Sequence, residues 1–496
     1  MTATLPTKAP PTEPTEGVDS PAPALPRLPD TDEAALRSHA CGLPPLTARL
    51  EPWMVEALAD GPALNALVPD DAPVNLHDTS AFARNVHELQ DAAGEHGVSL
   101  DVFFARKTDK CVAYVDVACD EGFGLDVAGT NELSQTLEAG VHPSRIIVTA
   151  AVKTRSLVAR AVEAGVTLSL DNADEVDRVR IEAERQGRTA SVALRLARFR
   201  HEGQVLPSRF GFDVGDCLAV AGGLVDSPLT LEGLHFHLDG YDAPQRASAM
   251  DACLDLYAGL RSQGHPATFL DIGGGVPMSY LDSAEQWTTF WAAVDDDPHA
   301  VTVDGTRYRR GDGRSLYPYH QSPTRGAWLG GLLATNHNGR TIASRLKELN
   351  VDLRCEPGRS VMDGCGMTVA RVEFRRDCPP SVNAREGTLV GLAMNRTQCR
   401  TTSEDFLVDP ILVPQGVGGR SDACEGYLVG AYCMESEFLT KRRLRFDRGV
   451  AVGDLVAFPN TAGYMMHFME SRSHQFPLAP NLVRTSAGWH EDGPSW

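Results

Sequence analysis

The residues able to do chemistry recur at the ends of apolar runs. Lys107 falls at the end of such a run in "LDVFFARKTDK" (residues 100–110). A lysine at the rim of a core has a chemistry that a solvated one lacks: burial lowers its pKa, and the deprotonated amine is a nucleophile. The plain alternative is a strand that surfaces, where a terminal lysine costs nothing. Similar endings follow along the chain. Asp126 lies in "GLDVAG", Thr149 in "RIIVTA" with Lys153 just beyond, Asp171 in "TLSLDN" and Arg195 in "SVALRLA". His237 ends "LHFH", Gly273, Gly274 and Gly275 follow "TFLDI", and Glu356-Pro357-Gly358-Arg359 follow "VDLRC". One polar residue at the end of an apolar run is ordinary. Eight in succession build a polar pocket.

Helical stretches separate these runs, among them "TNELSQTLEAG", "TRSLVARAVEAG" and "ADEVDRVRIEAERQG". In the first, Thr130 is placed to cap the helix and Gly140 to stop it. The alternation predicts a parallel sheet, and eight repeats predict an α/β fold with a closed (β/α)8 barrel over residues 78–360. In such a barrel the carboxyl ends of all strands converge on one face, where active sites sit. After Arg359 come short β-like runs, "MTVARVEFRR", "GTLVGLAM", "FLVDPILV", "GYLVGAYC" and "DLVAFPN". They predict a C-terminal, mainly β domain over 361–496, with residues 41–77 packing against it. Residues 1–40 are rich in Pro, Thr and Ala and read as a disordered leader.

Composition narrows the partners. The 496 residues are 42% hydrophobic and 23% charged, as in soluble globular proteins. A net charge of −20 argues against nucleic acid or an anionic membrane as a main partner. The eleven cysteines form neither a CxxC pair nor a Cys/His cluster at zinc spacing, so no metal site is expected. Without a signal-peptide core or an apolar run near the ~20 residues that span a bilayer, a cytoplasmic location is expected.

The motifs "FFARK", "LDIGGGVP", "CEPGRSVMDG" and "GAYCMESE", in that order, carry a resemblance. Over residues 75 to 485 the chain resembles the fold-type III pyridoxal phosphate decarboxylases, the ornithine/diaminopimelate/arginine decarboxylase family with its alanine racemase-like barrel. The resemblance implies the cofactor pyridoxal 5′-phosphate, joined to Lys107 as a Schiff base. Glu356 would face its pyridine nitrogen and keep it protonated, so that the ring accepts electrons from Cα. Gly273, Gly274 and Gly275 would cradle the phosphate with backbone N–H groups, aided by Arg359 and Tyr464. His237 would stack on the ring, with His235 as second choice, and Asp126, Glu132 and Arg195 would surround the cofactor. Cys433 would return a proton to Cα from a neighbouring subunit, which implies a homodimer with shared active sites.

The chain also departs from that pattern. The family's H-x-G-S reads His237-Leu238-Asp239-Gly240, which loses a serine hydroxyl and sets an acid near the phosphate. D-x-x-S becomes Asp126-Val127-Ala128-Gly129, and Met434 intervenes between Cys433 and Glu435. Eighty residues separate Gly275 from Glu356, about double the family's interval. The excess, placed around 295–330, is either a lid or substrate wall or a surface ornament. Substrate recognition is expected from Arg396, Arg400, Asp409, Glu435 and Glu437, which supply both charges. The expected activity is decarboxylation of an amino acid or a derived intermediate, a diamino acid or its carboxylated derivative, through an external aldimine and quinonoid. A racemase or epimerase on the same cofactor and a non-catalytic binding protein are the alternatives.

Overall fold

The computed structural model describes residues 33–306, 308, 316–337, 339–378, 386–401, 406–415 and 419–492. Most of the expected leader, and residues 307 and 309–315 of the expected insertion, lie outside this set.

Eight parallel strands close into a barrel. They are β1 (Leu100–Ala105), β2 (Gly124–Val127), β3 (Ile146–Val148), β4 (Thr167–Leu170), β5 (Ala190–Ala197), β6 (Leu229–Phe236), β7 (Phe269–Asp271) and β8 (Asp352–Cys355). Each pairs with the next, and β8 pairs with β1 through Leu353↔Leu100. The eight apolar runs are these strands. They read as continuous hydrophobic segments because helices cover the barrel's outer face while side chains fill its interior. Helices such as Arg155–Ala164 and Ala173–Gln186 cover that face, with Thr154 and Asn172 as N-caps and left-handed Gly165 and Gly187 as C-caps. The helix after β2 departs from expectation. Its N-cap is Gly129, Thr130 already lies inside the turn, and Glu132 accepts the Ala128 N–H at 2.6 Å.

Register aligns the polar strand ends. Ala105 pairs with Asp126, which places that carboxylate beside the turn carrying Lys107. His235 pairs with Arg195 on one side and Asp271 on the other, so three ionisable groups share one layer of the barrel.

A ten-stranded, largely antiparallel sheet forms the second body, built around the long strand Gly366–Cys378. The strand Val74–His77, which precedes the barrel in the chain, pairs with Gly366–Cys378 and with Asn481–Thr485. The described part of the long connection between β7 and β8 is built into a core rather than added as a surface ornament. Tyr280, Phe290, Val294, Tyr317 and Tyr319 from it are buried in one cluster with Val372, Leu392, Leu428 and Phe458 of the second sheet. Among the described residues no helix is long and apolar enough to cross a membrane.

Candidate active site

A cavity of roughly 180 Å³ opens at the carboxyl ends of the barrel strands. Lys107, His237, Gly274, Gly275, Glu356, Arg359 and Tyr464 line it, so seven of the expected residues meet in one place. A wider cavity of roughly 530 Å³ adjoins it, sharing Lys107 and reaching Glu132, His467 and Phe468.

Lys107 sits in the single turn Arg106–Thr108 that ends β1, and its Nζ donates to Asp126 Oδ2 at 3.0 Å. Asp126 is buried and also accepts from the Thr149 hydroxyl. Here the expectation of a lowered lysine pKa is corrected. Burial does push Lys107 downward, but Asp126, then Tyr464 and Glu356, stabilise its charge, and the net displacement is upward.

At the inner end Glu356 is buried, and its Oε1 has no hydrogen-bond partner. Burial and the neighbouring Asp271 and Asp126 push its carboxyl well above the usual range. His235 Nε2 lies 3.5 Å from that oxygen, while its Nδ1 meets Ser169 Oγ at 2.6 Å. Burial holds His235 neutral. It lies in the barrel interior and does not line the cavity. His237 does: its ring is open to the cavity, and the surrounding protein, followed by the Lys107 charge, lowers it to about 3. A neutral imidazole results, with Nδ1 accepting the Gly274 N–H at 3.1 Å.

At the outer end Arg359 Nη1 donates to Tyr280 Oη at 2.8 Å and to Gly463 O at 3.2 Å. Its guanidinium lies 4.2 Å from the centre of the Tyr317 ring and 5.3 Å from that of Tyr464. Gly273 has a left-handed φ of 66°, and its N–H donates to Asp271 Oδ1 at 2.8 Å. Two of the three glycine N–H groups thus already have partners within the chain. Arg195 stands aside, 3.6 Å from Asp171 and stacked over Phe210. Tyr280, Tyr317 and Asp271 were missed from the sequence; of these, only Asp271 carried a signal, as the acid two residues before the glycine loop.

The substrate-recognition residues require correction. Asp409 is buried against Arg442 at 2.6 Å and accepts the Leu46 N–H at 3.0 Å, so its charge is spent on holding the N-terminal segment. Glu437 is turned inward, accepting the Arg396 N–H at 2.7 Å, and Arg396 Nη1 donates to Ser436 O at 3.1 Å. That pair pins the loop carrying Cys433 and Glu435, both exposed and neither lining the two cavities at Lys107. Arg400 donates its backbone N–H to Met465 O, next to Tyr464. Asp409→Ala would strand a buried guanidinium, and a loss of about 3–5 kcal/mol in urea unfolding is expected. An unchanged midpoint would contradict the pairing.

Residues 80–295 match the family described as pyridoxal-dependent decarboxylase, pyridoxal binding domain. An uncharacterised Sinorhizobium fredii protein, y4yA, is 29% identical over 84% of this chain and 91% of its own length. A diaminopimelate decarboxylase of Pseudomonas aeruginosa is 25% identical over 82% of this chain and 87% of its own. The diaminopimelate decarboxylase of Helicobacter pylori, solved with L-lysine, superposes with a TM-score of 0.63 at 17% identity, covering 85% of this chain and 93% of that one. A closed barrel, an added β domain and this match define a fold-type III pyridoxal phosphate enzyme. Residues 80–295 carry the pyridoxal-binding domain of the ornithine/diaminopimelate/arginine decarboxylases in divergent form, and the chain is a pyridoxal phosphate-dependent amino-acid decarboxylase.

The residues present suit that cofactor. An unpartnered buried carboxylate oxygen complements a pyridinium N–H, and a guanidinium at the far end complements a phosphate. A Cβ on Gly274 would lie 2.9 Å from Glu356 O, so the cavity wall admits no side chain there. The raised Lys107 pKa has a kinetic consequence. Capture of pyridoxal phosphate by cofactor-free protein should quicken about tenfold per pH unit across the neutral range, because only the neutral amine attacks. Asp126→Asn, by removing the main charge that opposes deprotonation, should speed capture at pH 7 by about tenfold or more. Stopped-flow absorbance measures both, and a pH-independent rate would contradict them.

Proposed function

We propose that the 180 Å³ cavity is where this enzyme removes the α-carboxylate from a diamino acid or a carboxylated derivative of one. The observation that carries this reading is the placement of Glu356 Oε1, buried and unpartnered, on the same cavity as Lys107 and Arg359. Bound pyridoxal phosphate supplies an electron sink for the pair left on Cα when carboxylate departs. Lys107 is the amine that would hold the cofactor covalently and would be freed when substrate binds. Glu356 holds the proton on the pyridine nitrogen. His237, kept neutral, offers a flat uncharged face to the ring. Arg359 and the glycine turn hold the phosphate, and Tyr464 closes the wall beside Lys107.

Proton return to Cα falls to Cys433 of a second copy. Its thiol is exposed on a loop of the β domain that lines neither cavity at Lys107. That placement suits a residue that serves its neighbour's site, and the reading includes a homodimer with two shared sites. The substrate class rests on the relatives' named activity and on the wider cavity beside Lys107, which leaves room for a distal group. None of the eleven cysteines is in a disulfide, which suits a reducing cytoplasm.

The test is a screen of purified protein with pyridoxal phosphate against L- and D-diamino acids and their carboxylated derivatives, reading CO2. Release of CO2 from one of them is expected. Inversion at Cα without CO2 would replace this reading with racemisation, and the lack of a visible cofactor band would leave a binding protein.

A further inference from the structure

The cavity has an unexplained phenol at its phosphate end. The family pattern H-x-G-S places a serine on the phosphate, and His237-Leu238-Asp239-Gly240 lacks it. Read with one residue inserted, however, His237-Leu238-Asp239-Gly240-Tyr241 sets Gly240-Tyr241 against the Gly-Ser of the pattern. Gly240, at φ 90°, packs directly on the glycine turn: a Cβ on Gly275 would lie 2.7 Å from Gly240 O. Tyr241 then lines the cavity together with Gly274, Gly275 and Arg359.

We propose that the Tyr241 hydroxyl supplies the phosphate contact that serine supplies in H-x-G-S. The inference rests on the pyridoxal phosphate reading of this cavity.

Three sets of contacts hold the loop that carries the phenol. Arg246, fully buried, donates to Ile272 O at 2.6 Å, Gly240 O at 3.4 Å and Gly275 O at 3.5 Å, tying the two loops to each other. Trp328 Nε1 donates to Tyr241 O at 3.0 Å. Tyr317, from the long β7–β8 connection, meets the Tyr241 ring edge-on at 5.5 Å, while its own hydroxyl donates to Met278 O at 3.2 Å. Burial pushes the Tyr241 phenol up to about 12, with the Arg359 charge opposing, so it stays protonated and able to donate. A dianionic phosphate is served by such a donor here, where Asp239 rather than a serine follows Leu238 on the cavity wall. The phenol reaches farther than a serine hydroxyl, which fits a loop one residue longer. The β7–β8 connection thereby gains a role: it buttresses the replacement.

Tyr241→Phe tests this, by titrating cofactor-free protein with pyridoxal phosphate and, separately, with pyridoxal. Loss of one hydrogen bond to a charged group should weaken pyridoxal phosphate about ten- to a hundredfold and leave pyridoxal within about twofold. Equal weakening of both ligands, or of neither, would overturn the assignment. Wild-type protein that took up no pyridoxal phosphate would instead overturn the cofactor reading beneath it. A crystal structure of the wild-type holoenzyme gives a second check that needs no variant. There Tyr241 Oη should lie within hydrogen-bond distance of a phosphate oxygen, and a phenol turned away from it would refute the proposal.

Discussion

Lys107→Ala should lose decarboxylation by at least about a thousandfold, together with the visible absorbance of the lysine-linked cofactor. The cause is specific to this amine. The other lysine at a strand end, Lys153, is fully buried in an ion pair with Glu175 at 2.9 Å and has no route to the cavity. Lys110, which shares the wider cavity, lies outside the smaller one, so it does not stand in. Removing the ammonium also leaves Asp126 without its 3.0 Å partner, so a modest fall in thermal midpoint should accompany the loss. The variant further tests the dimer. Equal mixing with Cys433→Ala places half of all dimers in a state with one intact site, and about a quarter of wild-type activity should return. No recovery, with dimers present by light scattering, would remove the shared-site arrangement. Undiminished activity in Lys107→Ala alone would remove the whole reading of the barrel mouth.

Glu356→Gln should cost about 100- to 1,000-fold in kcat while leaving the fold intact. An amide keeps the shape of the carboxylate but cannot hold a full positive charge on the ring nitrogen. Stability should move the other way or stay level. Glu356 is a buried acid facing Asp271 and Asp126, and a neutral isostere relieves that repulsion. A catalytic loss without a fall in unfolding midpoint therefore separates a cofactor-facing acid from a structural ion pair. Parallel losses of rate and stability would favour the ion pair, and an unchanged kcat would exclude the role at the nitrogen.

The barrel was legible because each parallel strand is an apolar run with a polar residue at its end, and period and punctuation report that directly. The site was legible to the same depth. Lys107, His237, Glu356 and Arg359 follow their strands by one to four residues, so strand placement alone brings them together. Asp409 and Glu437 were misread for the opposite reason. Whether an acid meets a substrate or an arginine depends on partners such as Arg442 and Arg396, which local spacing does not reveal. The direction of the Lys107 shift was misjudged in the same way. Burial is legible from an apolar run, whereas the Asp126 charge that outweighs it comes from the next strand's register. Tyr317 was illegible altogether, since it reaches Arg359 from a connection whose helices pack into the other core.

That connection binds the two halves into a single melting unit. Residues between β7 and β8 fill the core of the sheet, Val74–His77 crosses into the same sheet before the barrel begins, and Arg359 bridges to Gly463. The second sheet's interior is completed by residues of that connection, so heat or urea should take both halves apart together, and a sheet cut away from the barrel would leave apolar surface bare. The catalytic mouth is therefore as durable as the entire molecule, and wear on the distant sheet is felt at the lysine.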